Sequence, residues 1–120
     1  MSEVIALAEK LQQIAEHWHP RTVARLDGYL VKLAKVQGEF VWHTHDDQDK
    51  LFLVLEGDLT IQLRHGEVLL RPGDLYVVPR GVEHCPTAEN EVSLLLIERE
   101  DTKHTGEVVS EKTVAEHDWI

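Results

Sequence analysis

Turn-forming residues punctuate most of this chain at intervals of about ten residues, and that spacing restricts the fold more than any other feature. The turns are Asp27-Gly28, Gln37-Gly38, Glu56-Gly57-Asp58, His65-Gly66, Pro72-Gly73-Asp74 and Pro79-Arg80-Gly81. Between and around them lie short β-rich runs: Thr22 to Leu26, Tyr29 to Val36, Glu39 to His43, Lys50 to Leu55, Leu59 to Arg64, Glu67 to Leu70, Leu75 to Val78 and Val92 to Glu98. No helical pattern is interleaved with them, so a parallel α/β sheet is excluded and an antiparallel sandwich or barrel is expected. Closing such strands on themselves removes edges that would otherwise template aggregation.

Only the first twenty residues read differently. Val4, Leu7, Ala8, Leu11, Ile14, Ala15 and Trp18 recur every three or four positions with polar residues between them, the pattern of an amphipathic helix. Ser2 is its expected N-cap, and Pro20 restrains His19 to extended geometry, so the helix is expected to end near His17. Residues 1–20 are therefore assigned to an N-terminal helix, 21–100 to the barrel, and 101–120 to a polar extension that wraps back through Val108, Val109, Val114, Trp119 and Ile120.

With 42% hydrophobic and 28% charged residues in 120, the chain supports one domain with one core. Its formal charge of −10, without any basic stripe, argues against a nucleic-acid partner. The single Cys85 forms no internal disulfide and is read as buried structure. The apolar runs Leu51 to Leu55 and Leu94 to Ile97 are too short to span a bilayer, and Ser2 and Glu3 do not open a targeting signal. A cytoplasmic protein without a membrane partner is expected.

The chemistry centres on histidine. His43 and His45 are two apart on an expected strand, which puts both imidazoles on one face about 7 Å apart at Cα. His84 follows the Pro79-Arg80-Gly81 turn. Three imidazoles leave open positions on an ion, an arrangement suited to catalysis rather than to a closed structural site. His17, His19, His65, His104 and His117 fall at a helix end, in turns or in the tail, and read as solvated.

Gly38, His43-Thr44-His45 and Gly57 resemble the first signature motif of the cupin superfamily, and GDLYVVPRGVEH, from Gly73 to His84, resembles the second. The chain is similar to small single-domain cupins often labelled mannose-6-phosphate-isomerase-like, including its HTGE turn at Gly106. That resemblance implies an all-β fold, a double-stranded β-helix or jelly-roll barrel, with the N-terminal helix added. It also implies a divalent transition metal (Zn, Fe, Ni, Mn or Cu) inside the barrel on His43, His45 and His84, plus a carboxylate.

The carboxylate departs from the pattern, because its position holds Lys50, and the closing Asn position of the second motif is Ala88. An ammonium has no lone pair to donate and repels a cation. Three alternatives follow. Lys50 turns away toward Asp46, Asp47 or Asp49 and the metal keeps three imidazoles; or the ammonium replaces the metal and holds an anion; or desolvation makes Lys50 a neutral base. Asp49 becomes a substitute ligand if the strand slips by one residue, since both faces of LFLVL are apolar. Phe40, Phe52 and Tyr76 are the candidate aromatic walls of a ligand cavity, beside Lys50. The functional expectation is a three-histidine metal protein binding a small polar organic molecule, as an oxygenase or isomerase. Its alternative is a metal-free module that binds or senses a small anion through Lys50 and the histidines. A homodimer is expected, the helix and outer sheet suiting a two-fold interface.

Overall fold

The computed structural model describes residues 3–100 and 117–120. It contains one short helix, α1 (Leu7–Gln12), and seven strands: β1 (Arg21–Leu26), β2 (Tyr29–Glu39), β3 (Lys50–Glu56), β4 (Leu59–Leu63), β5 (Gly66–Leu70), β6 (Leu75–Val78) and β7 (His84–Arg99). All their pairings are antiparallel. The sheet runs β1-β2-β7-β3-β6, while β4 pairs with both β5 and β7.

The long β7 is what rolls this sheet into a barrel. Its C-terminal half lies between β2 and β3, through Leu94↔Ala34 and Leu94↔Val54, and its N-terminal half pairs with β4, through Cys85↔Gln62. The two halves meet at the exposed residues Glu89 to Glu91. Opposite this bend, β2 shifts register between Val36 and Gly38, and Gly38 takes φ +85°, a conformation that side chains with a Cβ resist.

Period-2 alternation then sorts the side chains. Ala34, Val36, Phe52, Val54, Leu59, Ile61, Val78, Val92, Leu94 and Leu96 fill the barrel interior. A second cluster lies outside, where Leu11 and Ile14 cover Leu33 and Val23, with Ile120 packed against them. Burying each such Leu or Ile contributes roughly 1.5–3 kcal/mol, so the second cluster fastens both ends of the chain to the sheet.

Two expectations change. The helix is six residues long, not the fourteen or so that the periodicity predicts. A helix that short depends on packing, and the following residues gain more by joining the barrel. The chain bridges His17 to Lys35, and the Trp18 N–H donates to Lys35 O at 2.9 Å while Trp18 takes φ +59°. The run from Glu39 to His43 is also not a strand of its own: β2 ends at Glu39 and His43 pairs only with His84. Ser2, His104, Gly106, Val108, Val109 and Val114 lie outside the described residues. Of the tail, the described residues 117–120 lie against the barrel, with the Ile120 N–H donating to Thr22 O at 3.0 Å.

Candidate metal centre

The two motifs are tied together by backbone before any side chain is considered. His43 and His84 exchange reciprocal N–H to O=C bonds of 3.0 Å. The Gly81 N–H donates to His45 O at 2.9 Å, and the Arg80 N–H to Asp49 Oδ1 at 2.9 Å. The turn from Pro79 to Gly81 therefore fixes His84 against the segment that carries His43 and His45.

The result is a buried imidazole cluster. His43, His45 and His84 are 3%, 6% and 1% exposed, and one ligand atom from each lies within 4.8 Å of the others. His43 Nδ1 is 2.8 Å from Val41 O and His84 Nδ1 is 3.0 Å from Val82 O. A carbonyl only accepts, so each Nδ1 carries the proton and each Nε2 presents a lone pair. The Nε2 atoms of all three histidines are buried without a hydrogen-bond partner. Buried polar atoms are seldom left so, and three convergent imidazole acceptors fit a divalent transition metal.

The electrostatics favour the neutral, ligating form. Burial lowers the pKa of His43 to about 3, helped by repulsion from His84. Burial followed by the Lys50 charge lowers His45 to about 4, and burial lowers His84 as well. Near neutral pH no proton competes with a metal for these rings.

Lys50 follows none of its three expected courses completely. It is 4% exposed, inside the barrel, and its ammonium is hydrogen-bonded to Glu98 of β7. The pairing Leu51↔Ile97 places Lys50 and Glu98 directly opposite each other, one step along the ladder. Lys32 of β2 approaches the second oxygen, Glu98 Oε2, at 3.7 Å, and His117 Nδ1 lies 2.7 Å from Lys32 Nζ. Burial alone would raise the Glu98 pKa, but the Lys50 and Lys32 charges outweigh it and hold it at about 2. Burial also lowers Lys32, an effect that Glu98 partly offsets.

The aspartates that were alternative partners face outward. Asp47 pairs with Arg99 at 2.8 Å and the exposed Asp49 with Arg80. Because Lys50 pairs with Val78 in register, with Lys50, Phe52 and Val54 all inward, the one-residue slip that would bring Asp49 inside does not occur. His117, read as solvated, instead meets Lys32.

A small cavity of about 30 Å³ adjoins the cluster, lined by His43, Lys50, Phe40, Phe52, Trp18, Leu94 and Leu96 among others. Phe40 stands edge-on to His43 at 5.5 Å, and Trp18 stacks on Phe40 at 4.5 Å. Tyr76 lies elsewhere, packed against the main core. The sequence places Trp18 on a helix face and Glu98 at a strand end, and assigns neither to the site. Glu98 had a signal: it shares the inward face of β7 with Leu94 and Leu96.

A cupin domain model matches residues 29–98, more than half of the chain. The chain belongs to the cupin family. A cupin-2 domain protein of Shewanella frigidimarina NCIMB 400 is 44% identical to this cupin, with a TM-score of 0.80 over 81% of this chain and 95% of that one. The uncharacterized protein YdbB of Bacillus subtilis is 32% identical over 85 residues, 70% of this chain and 73% of YdbB. Hydroquinone 1,2-dioxygenase from Sphingomonas sp. TTNP3 shares the fold at 17% identity, with a TM-score of 0.65 over 76% of this chain and 71% of that one. The cupin barrel thus carries three histidines positioned to hold a metal.

Proposed function

We propose that this cupin binds a divalent transition metal through the Nε2 atoms of His43, His45 and His84 and takes a small polar organic ligand at the remaining positions. The observation that carries this reading is the set of three buried Nε2 atoms without protein partners, two of them fixed as lone-pair donors by the carbonyls of Val41 and Val82. Such second hydrogen bonds orient ligating imidazoles and raise their basicity. When bound, the metal supplies Lewis acidity or a site for O₂. The reactions that this suits are oxygenation and isomerisation of small polar molecules, and the dioxygenase of the same fold lends weight to the first.

The chain's own groups do the rest. Phe40, Phe52, Leu94 and Leu96 keep the cavity dry, and Trp18 closes one wall through its stack on Phe40. The metal-free alternative draws support from the buried Lys50 ammonium. It is the weaker reading, because three neutral imidazoles would turn lone pairs toward the anion.

Metal analysis of protein purified without an affinity tag tests the proposal. About one equivalent of Zn, Fe, Ni, Mn or Cu is expected, and less than about a tenth after reconstitution would overturn it. Among the described residues no helix is long and apolar enough to cross a membrane. We propose a cytoplasmic location, a compartment that suits the buried, reduced thiol of Cys85. We further propose a homodimer through the outer sheet face, where Leu75 and Val77 of β6 are 55% and 41% exposed beside Leu51 and Ile97. A monomer by sedimentation at micromolar concentration would refute the dimer.

A further inference from the structure

The proposed metal centre leaves one group of the same cavity without a role. Lys50 has an ammonium 5.8 Å from the Phe52 ring, in a side chain only 5% exposed. An ammonium carries three donors. Among the described residues Glu98 Oε1 is the one acceptor bonded to Lys50 Nζ. Two N–H groups therefore have no partner among the described residues, in a setting where each unmade hydrogen bond is costly.

Three features narrow what they would meet. The rest of the wall offers little polar chemistry: Trp18, Pro20, Phe40, Phe52, Leu94 and Leu96 give a sugar or polyol nothing to match its hydroxyls. The cavity, about 30 Å³, admits a group of only a few non-hydrogen atoms, since one water needs roughly 10–15 Å³ by this kind of measure. Finally, with Lys50 in place of the carboxylate, three neutral imidazoles leave the full charge of a divalent ion uncompensated. That favours an anionic companion. Phosphate is a poor candidate, because its several acceptor oxygens exceed two available donors and its charge suits an apolar wall badly.

We propose that Lys50 recognises the anionic end of the ligand and that the ligand is a short-chain apolar monocarboxylate. The carboxylate accepts from the ammonium beside the imidazole cluster, and the alkyl group packs on Phe52, Leu94 and Leu96. Glu98 and Lys32 are positioning residues: Glu98 anchors the ammonium on one side, and Lys32 compensates the other carboxylate oxygen. This rests on the metal reading above and adds the ligand class.

The test uses Co²⁺-loaded protein, with cobalt content measured separately and the visible cobalt absorption followed during titration. Propionate is compared with propionamide and inorganic phosphate in the wild-type protein with cobalt and, by calorimetry, without it, where the metal's own preference for a carboxylate is removed, so the decisive comparison needs no variant. Propionate is expected to bind at least about tenfold more tightly than either, the margin of one charge-assisted hydrogen bond. Lys50→Met, where it folds and loads cobalt, should lose about tenfold or more for propionate and little for propionamide. Equal affinity for acid and amide, tighter binding of phosphate, or undiminished propionate binding by Lys50→Met would overturn the proposal. If the protein takes up no metal, the metal reading fails by itself. Calorimetry of propionate against propionamide on metal-free protein then decides the role of Lys50, preference for the acid supporting it and its absence overturning it.

Discussion

Replacing Glu98 with Gln should destabilise the protein by about 3 kcal/mol near neutral pH, and the structure supplies two routes to that figure. Removing one partner of a buried ion pair typically costs about 3–5 kcal/mol, because the other charge is left uncompensated. Here Lys50 and Lys32 would both be left, at 5% and 4% exposure. Independently, the Glu98 pKa falls from 4.5 to about 2 on folding, which at about 1.36 kcal/mol per pH unit corresponds to roughly 3 kcal/mol. Lys32 subtracts from this, since burial lowers its pKa and keeping it charged opposes folding. The sign follows from linkage: a carboxylate depressed on folding contributes stability that is present above about 4.5 and lost as pH falls toward 2. Urea denaturation of wild type and Glu98→Gln should therefore show the same penalty at pH 7 and pH 5. A penalty already halved at pH 5 would mean that burial dominates over the two ammonium groups and would refute the reasoning.

Further outcomes concern the site and the turns. Metal-stripped protein should lose stability as pH falls below 6.5, because imidazoles of the unfolded chain take up protons that His43 and His45 refuse until about 3 and about 4. Those two alone account for about 2 kcal/mol between pH 6.5 and 5.5, and a flat denaturation profile over that interval would contradict their burial as neutral rings. Gly57→Ala should cost about 2 kcal/mol or more in urea, since φ is +82° and an added Cβ would meet Glu91 O at 2.6 Å. Gly28→Ala, with no atom within 4 Å of the added Cβ, should stay within about 0.5 kcal/mol of wild type. Trp18→Ala removes the ring stacked on Phe40 and should cost about 1–2 kcal/mol without changing metal stoichiometry.

Much of this was legible in the sequence because it depends on local chemistry. Turn residues every ten positions mark the strand ends, and the spacing of His43, His45 and His84 matches the cupin motifs. Period-2 alternation also put Phe52 and Val54 on the face of Lys50, where both are found. What escaped depends on contacts between distant segments. The helix stops after Gln12 because Trp18 is drawn to Lys35 and Gln37 on β2, a competition that periodicity within Val4 to Trp18 does not contain. The spacing offers Lys50 only the nearby aspartates as ion-pair partners, whereas its partner lies 48 residues away.

The distant partner also resolves the ambiguity that made Asp49 a candidate ligand. Leu51, Leu53 and Leu55 are half-buried on the outer face while Phe52 and Val54 are buried within, so hydrophobicity discriminates weakly between the two registers of β3. Charge discriminates strongly. In the observed register Lys50 faces Glu98, and Glu98 in turn meets Lys32 from the other neighbouring strand. Slipping β3 by one residue would turn Lys50 outward and bring Asp49 toward Glu98, leaving two like charges where an ion pair stood. Since an uncompensated buried charge costs about 3–5 kcal/mol, this one cluster sets the register of β3 against β7. The same register holds Asp49 outside, against Arg80, on the turn that delivers His84. The lysine in the carboxylate position thus helps to fix the imidazole cluster beside which it lies.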